Sequence, residues 1–353
     1  MSSPSVETRF WNLSRLRLMV QLVLFGVTVY GGLLVGPYLS DKISDALPAL
    51  SCAFDQSNGA YCVLIPLQHQ MHHRVGEAIV RLGGVSLDMF VPLFFTLVTF
   101  FVFFVFLNKG FCGWVCPLGT AQELLYRLGR WFKLGIHRLT GGGLKRVRPV
   151  KWLILLLLVF TLPLLAGLGV APHAAGDAYC QICPSRILTT LLTANMEQMA
   201  VSEAGWLDFT LSALRNLLFG FMLVAALTVR QPFCRICPML AFHALARRFS
   251  FLQLDKQAHD RCQKCEMCVQ ACPMDIPEIS NQHGPKAFHE DCTLCGRCAE
   301  FCPDDDVIRI RFLRWPLFRS AAAYFRSRTR LEKPDGTPRP LTKKTHKKGT
   351  AHG

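Results

Sequence analysis

The sequence predicts a mainly α fold, a four-helix transmembrane domain followed by a small α+β domain, and three observations predict it. Four stretches of about 20 residues, 16–36, 87–107, 150–170 and 209–229, are long and apolar enough to cross a bilayer as helices. Two cysteine runs of identical spacing begin at Cys262 and Cys292. Apolar residues make up 51% of the 353, yet the formal charge is +15. One soluble domain does not explain that combination. The only full charge near the middle of any span is Arg215, about two turns from one end of the fourth, within reach of the interface by snorkelling.

The cations fix the expected orientation. Arg9, Arg15 and Arg17 precede the first span. Lys109, Arg127, Arg130, Lys133, Arg138, Lys145, Arg146, Arg148 and Lys151 lie between the second and third, and Arg230, Arg235, Arg247 and Arg248 follow the fourth. The other two loops are poor in Lys and Arg, so the positive-inside rule puts both termini in the cytoplasm. The expected location is a bacterial inner membrane, with the first span as an anchor rather than a cleaved signal. The same placement assigns the +15 charge to topology and anionic lipid, not nucleic acid. The expected division is 1–15 as N-terminus, 16–250 as the four-span domain, 251–312 as the small domain and 313–353 as a basic tail. In the tail, Trp315, Phe318, Tyr324 and Phe325 alternate with Arg319, Arg326 and Arg328. That pattern fits a helix lying on the membrane or a plain solvated helix.

Each cysteine run reads Cys-x2-Cys-x2-Cys-x3-Cys-Pro. A short loop wraps three such thiolates around a cubane cluster, and the fourth reaches the neighbouring one. The expected ligand sets are therefore Cys262, Cys265, Cys268 and Cys302 for one [4Fe-4S] cluster, and Cys292, Cys295, Cys298 and Cys272 for the other. Zinc or a disulfide knot explains two complete runs poorly. Lys264, Arg261 and Arg297 beside them are expected to raise the potentials modestly and to guide an acidic donor.

Two further pairs fall just beyond membrane spans: Cys112 and Cys116 in Phe-Cys-Gly-Trp-Val-Cys-Pro-Leu-Gly, and Cys234 and Cys237 in Phe-Cys-Arg-Ile-Cys-Pro. Pro117 and Pro238 suit the first turn of the helices that follow. Each pair is thus expected at a helix N-terminus, which favours thiolate, and together they make a four-cysteine iron–sulfur site.

These motifs, Gln122-Glu123 after the first of them, four spans and a double ferredoxin domain resemble the NapH-type ferredoxins. NosR-type and CcoG-type polyferredoxins share the motifs. The resemblance covers residues 10–312 and is nearest the NapH type. The chain lacks the large N-terminal flavin-binding region expected of the NosR type and the extra C-terminal β domain expected of the CcoG type. It implies an electron-transfer, quinol dehydrogenase-like subunit rather than a stand-alone enzyme. The implied partners are the quinone pool, a cytoplasmic flavodoxin or ferredoxin, and a periplasmic iron–sulfur or cytochrome c acceptor.

Four cysteines depart from that pattern: Cys52 and Cys62 in the first outer loop, and Cys180-Gln-Ile-Cys183-Pro184 in the second. A fourth cluster, a pair of disulfides and simple packing residues all fit. Cys180 and Cys183 as a redox-active pair give the alternative function, a thiol or metal-ion reductase or an assembly factor. His69, His72 and His73 offer weak ligation for copper or haem, or a hydrogen bond to quinol; a solvated helix fits as well. His173 and His243 read as lone structural histidines. The chain contains no Gly-x-Gly-x-x-Gly, phosphate loop or Ser/His/Asp pattern.

Overall fold

A computed structural model describes residues 12–35, 64–139, 141–194, 196, 199–201, 205–260 and 262–337. Cys52, Cys62 and Arg261 lie outside them. The membrane region contains α1 (Leu13–Val35), α2 (Leu64–His69, Gln70–Gly76 and Glu77–Leu82), α3 (Val91–Phe106), α4 (Pro117–Trp131) and α5 (Gly142–Gly167). It continues through α6 (Ala178–Ile182), α7 (Pro184–Leu192), α8 (Trp206–Thr228) and α9 (Pro238–Leu245). Among the described residues, four helical segments are long and apolar enough to cross a membrane: Leu13–Tyr30, Leu87–Phe106, Gly142–Gly167 and Phe209–Thr228. Their outward faces are apolar, with Phe94, Phe95, Leu153, Leu156, Phe221 and Val224 exposed, as lipid contact requires. Arg215 donates to the Ala200 carbonyl at 3.0 Å, beyond the start of α8, which is the expected snorkel.

Residues expected in outer loops instead enter the bundle. Leu64 and Leu67 of α2 and Tyr179, Cys180 and Cys183 around α6 share one core with Phe100, Phe104, Leu155 and Val159. The helix α7 packs on α4 and α8 through Ile187, Leu188, Leu118, Phe219 and Met222. Apolar residues flanking the cysteines make this burial favourable.

The small domain comprises β1 (Leu252–Lys256), α10 (Cys262–Cys265), α11 (Met267–Ala271), α12 (Arg297–Glu300), β2 (Ile308–Phe312), β3 (Trp315–Arg319) and α13 (Ala322–Leu331). Its sheet is antiparallel in the order β1-β2-β3. The fold therefore continues past residue 312. Of the stretch read as a membrane-surface or solvated helix, Trp315–Arg319 is instead strand β3, while Tyr324, Phe325, Arg326 and Arg328 do lie on a helix, α13, which straps across the small domain. Glu300 explains the strap. Its carboxylate accepts from the Ser14 N–H at 2.7 Å and from the Tyr324 hydroxyl at 3.1 Å, and it pairs with Arg328 at 3.7 Å. Arg297 pairs with Glu332 at 2.7 Å, and Arg328 also pairs with Glu332. The start of α1, the small domain and α13 are thereby tied together.

Cations beside the spans are engaged in the same way. Arg148 binds Glu278 at 2.5 and 2.7 Å and Asp291 at 2.8 Å. Lys151 binds Glu290 at 3.1 Å and also Asp291. Arg235 pairs with Asp275 at 2.7 Å. The small domain is thus docked against the ends of α5 and α8. Contact is close at Gly113, where a Cβ would overlap the Thr293 carbonyl oxygen. Trp114 donates to the Leu294 carbonyl at 3.0 Å beside it.

Two outcomes follow. Gly113→Ala should weaken docking by about 1–3 kcal/mol through overpacking, read as faster hydrogen exchange in 292–296 with the spans unchanged. The strap should loosen only in acid. Burial raises the Glu332 pKa, but Arg297 and Arg328 hold it down at about 2. Its stabilising contribution is therefore present above the unfolded value of about 4.3 and is lost as pH falls towards 2. Proteolysis at α13 should not change between pH 6 and 8 and should rise below about pH 4.

Candidate metal centres

One cavity of the small domain is lined by Cys262, Cys265, Cys268 and Cys302, and another by Cys272, Cys292, Cys295 and Cys298. Each cavity thus takes three sulfurs from one run and the last sulfur of the other. Left-handed backbone at Glu266 (φ 46°) and Gly296 (φ 76°) turns the loops between the sulfurs. Burial pushes the thiol pKa up to about 11 at Cys268 and Cys292 and about 12 at Cys272. Four thiolates at one point, two of them buried in the first set and three in the second, need compensating cationic charge, and iron supplies it. The donor set and the enclosed space fit [4Fe-4S] clusters.

The second group lies directly above. Cys112, Cys234 and Cys292 pack on one small core with Leu240, Cys272 and Met274, so the membrane-side sulfurs abut a small-domain cavity. Cys116 and Cys237 occupy the N-cap positions of α4 and α9, with ψ of 117° and 123°, and the proline follows in each. The helix-terminus effect on the thiols is outweighed. Burial and then the neighbouring thiolates push Cys112 and Cys234 well above the ordinary range, and Cys237 to about 12. Uncompensated thiolates are costly here too, so this set also fits a metal cluster. Gln122 braces it: its Nε2 donates to Cys234 Sγ at 3.5 Å while its Oε1 accepts from the Phe233 N–H at 3.0 Å.

The same arrangement occurs a second time. Gln68 Nε2 donates to Cys180 Sγ at 3.1 Å, and its Oε1 accepts from the Tyr179 N–H at 3.1 Å. Cys183 caps α7 with ψ 118°, followed by Pro184. Gln68, Cys180, Cys183 and Pro184 precede Gln122, Cys234, Cys237 and Pro238 by the same 54 residues. Cys62 precedes Cys116 by that offset too. The two glutamines went unread as site residues, and this constant offset was the signal that reveals them. Cys180 and Cys183 are also not on an outer surface. They are 4% and 6% exposed, and the Tyr179 hydroxyl lies 3.8 Å from Cys183 Sγ and 4.0 Å from Cys237 Sγ.

The histidines divide. His72, His73 and His173 come together with Glu77, so His173 is not a lone residue. His69 approaches His73 with ring centroids 5.8 Å apart and stays outside that set. His243 is buried against Phe104 and Phe111. Arg297, expected to guide a donor, is buried under the strap and paired with Glu332.

Residues 89–135 and 213–253 match the family described as "4Fe-4S binding domain", and residues 261–308 match "4Fe-4S dicluster domain". The chain is 29% identical over 187 residues to the regulatory protein NosR of Pseudomonas aeruginosa, covering 51% of this chain and 22% of NosR. It is 25% identical over 195 residues to the putative electron transport protein YccM of Escherichia coli K12, covering 51% and 46%. The methylamine utilization ferredoxin-type protein MauN of Methylorubrum extorquens is 25% identical over 268 residues, 75% of each chain. Most of these matches span well under two thirds of the relative. No solved structure matches. The chain carries [4Fe-4S] clusters and, among its described residues, helices long and apolar enough to cross a membrane.

Hydrogen bonds to sulfur favour the reduced, more negative cluster and raise its potential. Gln122→Leu should therefore lower the midpoint of one centre by about 40 mV, the equivalent of about 1 kcal/mol for one electron. Redox titration of the purified protein checks this.

Proposed function

We propose that this chain is a membrane polyferredoxin of the NapH/NosR type, a line of iron–sulfur centres carrying single electrons between the cytoplasm and a periplasmic redox pathway. The ligands are Cys262, Cys265, Cys268 and Cys302 for the first centre and Cys272, Cys292, Cys295 and Cys298 for the second. Cys112, Cys116, Cys234 and Cys237 hold the third. Cys180 and Cys183 contribute to a fourth, with Cys52 and Cys62 added on the sequence argument alone. Both termini and the small domain face the cytoplasm. A quinol or an acidic flavodoxin-like protein donates, and a periplasmic iron–sulfur protein or cytochrome c accepts.

The observation that carries this reading is the Tyr179 hydroxyl, which touches sulfur from the third set and sulfur from the outer pair. Thiolates at opposite faces of a roughly 30 Å hydrocarbon core are too far apart for one electron step. Thiolates drawn inward onto one tyrosine are not. Burial of Cys180 and Cys183 also weighs against the reductase alternative, because a protein thiol substrate has no open approach to either sulfur.

Anaerobically purified protein should contain about sixteen iron atoms, falling to about twelve in Cys183→Ser. A reproducible wild-type value near eight, two cubanes only, would contradict both membrane centres.

A further inference from the structure

The cluster formed by α2 with the turn before α6 has no part in the sulfur line. We propose that His72, His73, Glu77 and His173 bind one divalent first-row transition-metal ion of the class that takes imidazole and carboxylate ligands, Zn(II) or Fe(II). The four side chains each present a ligand atom, and all four atoms lie within 4.8 Å of one another. Tetrahedral metal–ligand bonds of about 2.0–2.2 Å put ligand atoms roughly 3.5 Å apart, so closure needs only side-chain adjustment. His73 Nδ1 already lies 2.8 Å from Glu77 Oε1, and His72 Nε2 lies 3.9 Å from the same oxygen. The His72 ring is 4.1 Å from His73 and 4.7 Å from His173, centroid to centroid. Three nitrogens, one carboxylate and no sulfur select this metal class over those that prefer thiolate.

The backbone is built to place these groups. Residues Gln70–Gly76 form a π-helix, and the Glu77 N–H bonds the His72 carbonyl five residues back. That widened turn, a device frequent at functional sites, sets His72 and Glu77 on one line with His73 beside them. Three glycines seat His72. A Cβ at Gly76 would come 2.6 Å from Gly167 Cα, one at Gly167 would overlap the His72 carbonyl, and one at Gly176 would come 2.7 Å from His72 Cε1. His72 is 3% exposed, whereas the His73 side chain is 45% exposed, so an ion can enter from one side. Burial, and then the neighbouring His73, lower the His72 pKa and keep its imidazole neutral, as ligation requires. Glu77 is held ionised, chiefly by its hydrogen bond with His73. His72 is one helical turn beyond Gln68, the residue that touches Cys180, so the ion would sit next to the outer end of the sulfur line. The inference does not depend on the electron-transfer reading.

Cobalt(II) titration of the full chain, cluster-loaded and in detergent under anaerobic conditions, tests the site. One equivalent should bind with visible d–d absorption and no thiolate-to-cobalt charge-transfer band. Affinity should fall about tenfold or more in His173→Gln and in His73→Gln. His73 is exposed, so its variant tests the site even if a His72 variant fails to fold; iron content reports folding. Binding that survives the His73→Gln/His173→Gln double substitution would overturn the proposal. So would the absence of a saturable single equivalent, or a charge-transfer band lost with Cys180.

Discussion

Sulfur in this chain sits where a bare thiolate is not tolerated. Burial lifts the thiols of Cys298 in the small domain and of Cys112 and Cys234 at the membrane boundary, and the neighbouring thiolates lift them further. Iron reverses that balance by supplying positive charge at the point where four sulfurs meet. The same burial that makes the sites dependent on iron also excludes water from them. The fold can therefore be read as a means of holding cysteines close together in apolar surroundings until iron arrives.

The contacts between centres follow from that requirement. The 112–116 turn lies on the 293–295 loop because Gly113 has no side chain, and Trp114 fixes the register. Lys109 donates to the His289 carbonyl at 2.9 Å and to that of Glu290, and burial lowers its pKa to about 7. It faces both Cys292 and Cys112, a cation between two groups of sulfur. Farther into the bundle, α6 and α7 place Tyr179 against Cys183 and Cys237. Salt bridges from Arg148, Lys151 and Arg235 hold the small domain against the spans, and the strap built on Glu300 and Glu332 ties in α1. Cations that the sequence offers as topology signals are thus also docking groups.

The spans and the cysteine runs were legible because each is a local pattern: a length of apolar residues, or ligands separated by one short turn. The re-entry of residues 64–82 and 178–192 was not, since a loop's path depends on which apolar faces the neighbouring spans leave open. The tail misled for a related reason. Trp315, Phe318 and Tyr324 look amphipathic in isolation, but β2 offers Phe318 a strand partner and Glu300 offers Tyr324 a hydrogen bond. Gln68 and Gln122 were visible all along as a repeat, yet a glutamine has no metal-binding signature, and only its contact with sulfur gives it meaning. His173 needed the fold to bring it to His72 across a hundred residues of chain.

The central claim is that the outer cysteine pair and the third cysteine set belong to one continuous line. Pulsed electron paramagnetic resonance of the fully reduced protein measures this directly through spin–spin interaction between neighbouring clusters. The account predicts coupling involving a fourth centre, abolished in Cys183→Ser while the coupling among the other three persists. A spectrum of wild-type protein that is unchanged by Cys183→Ser would contradict it.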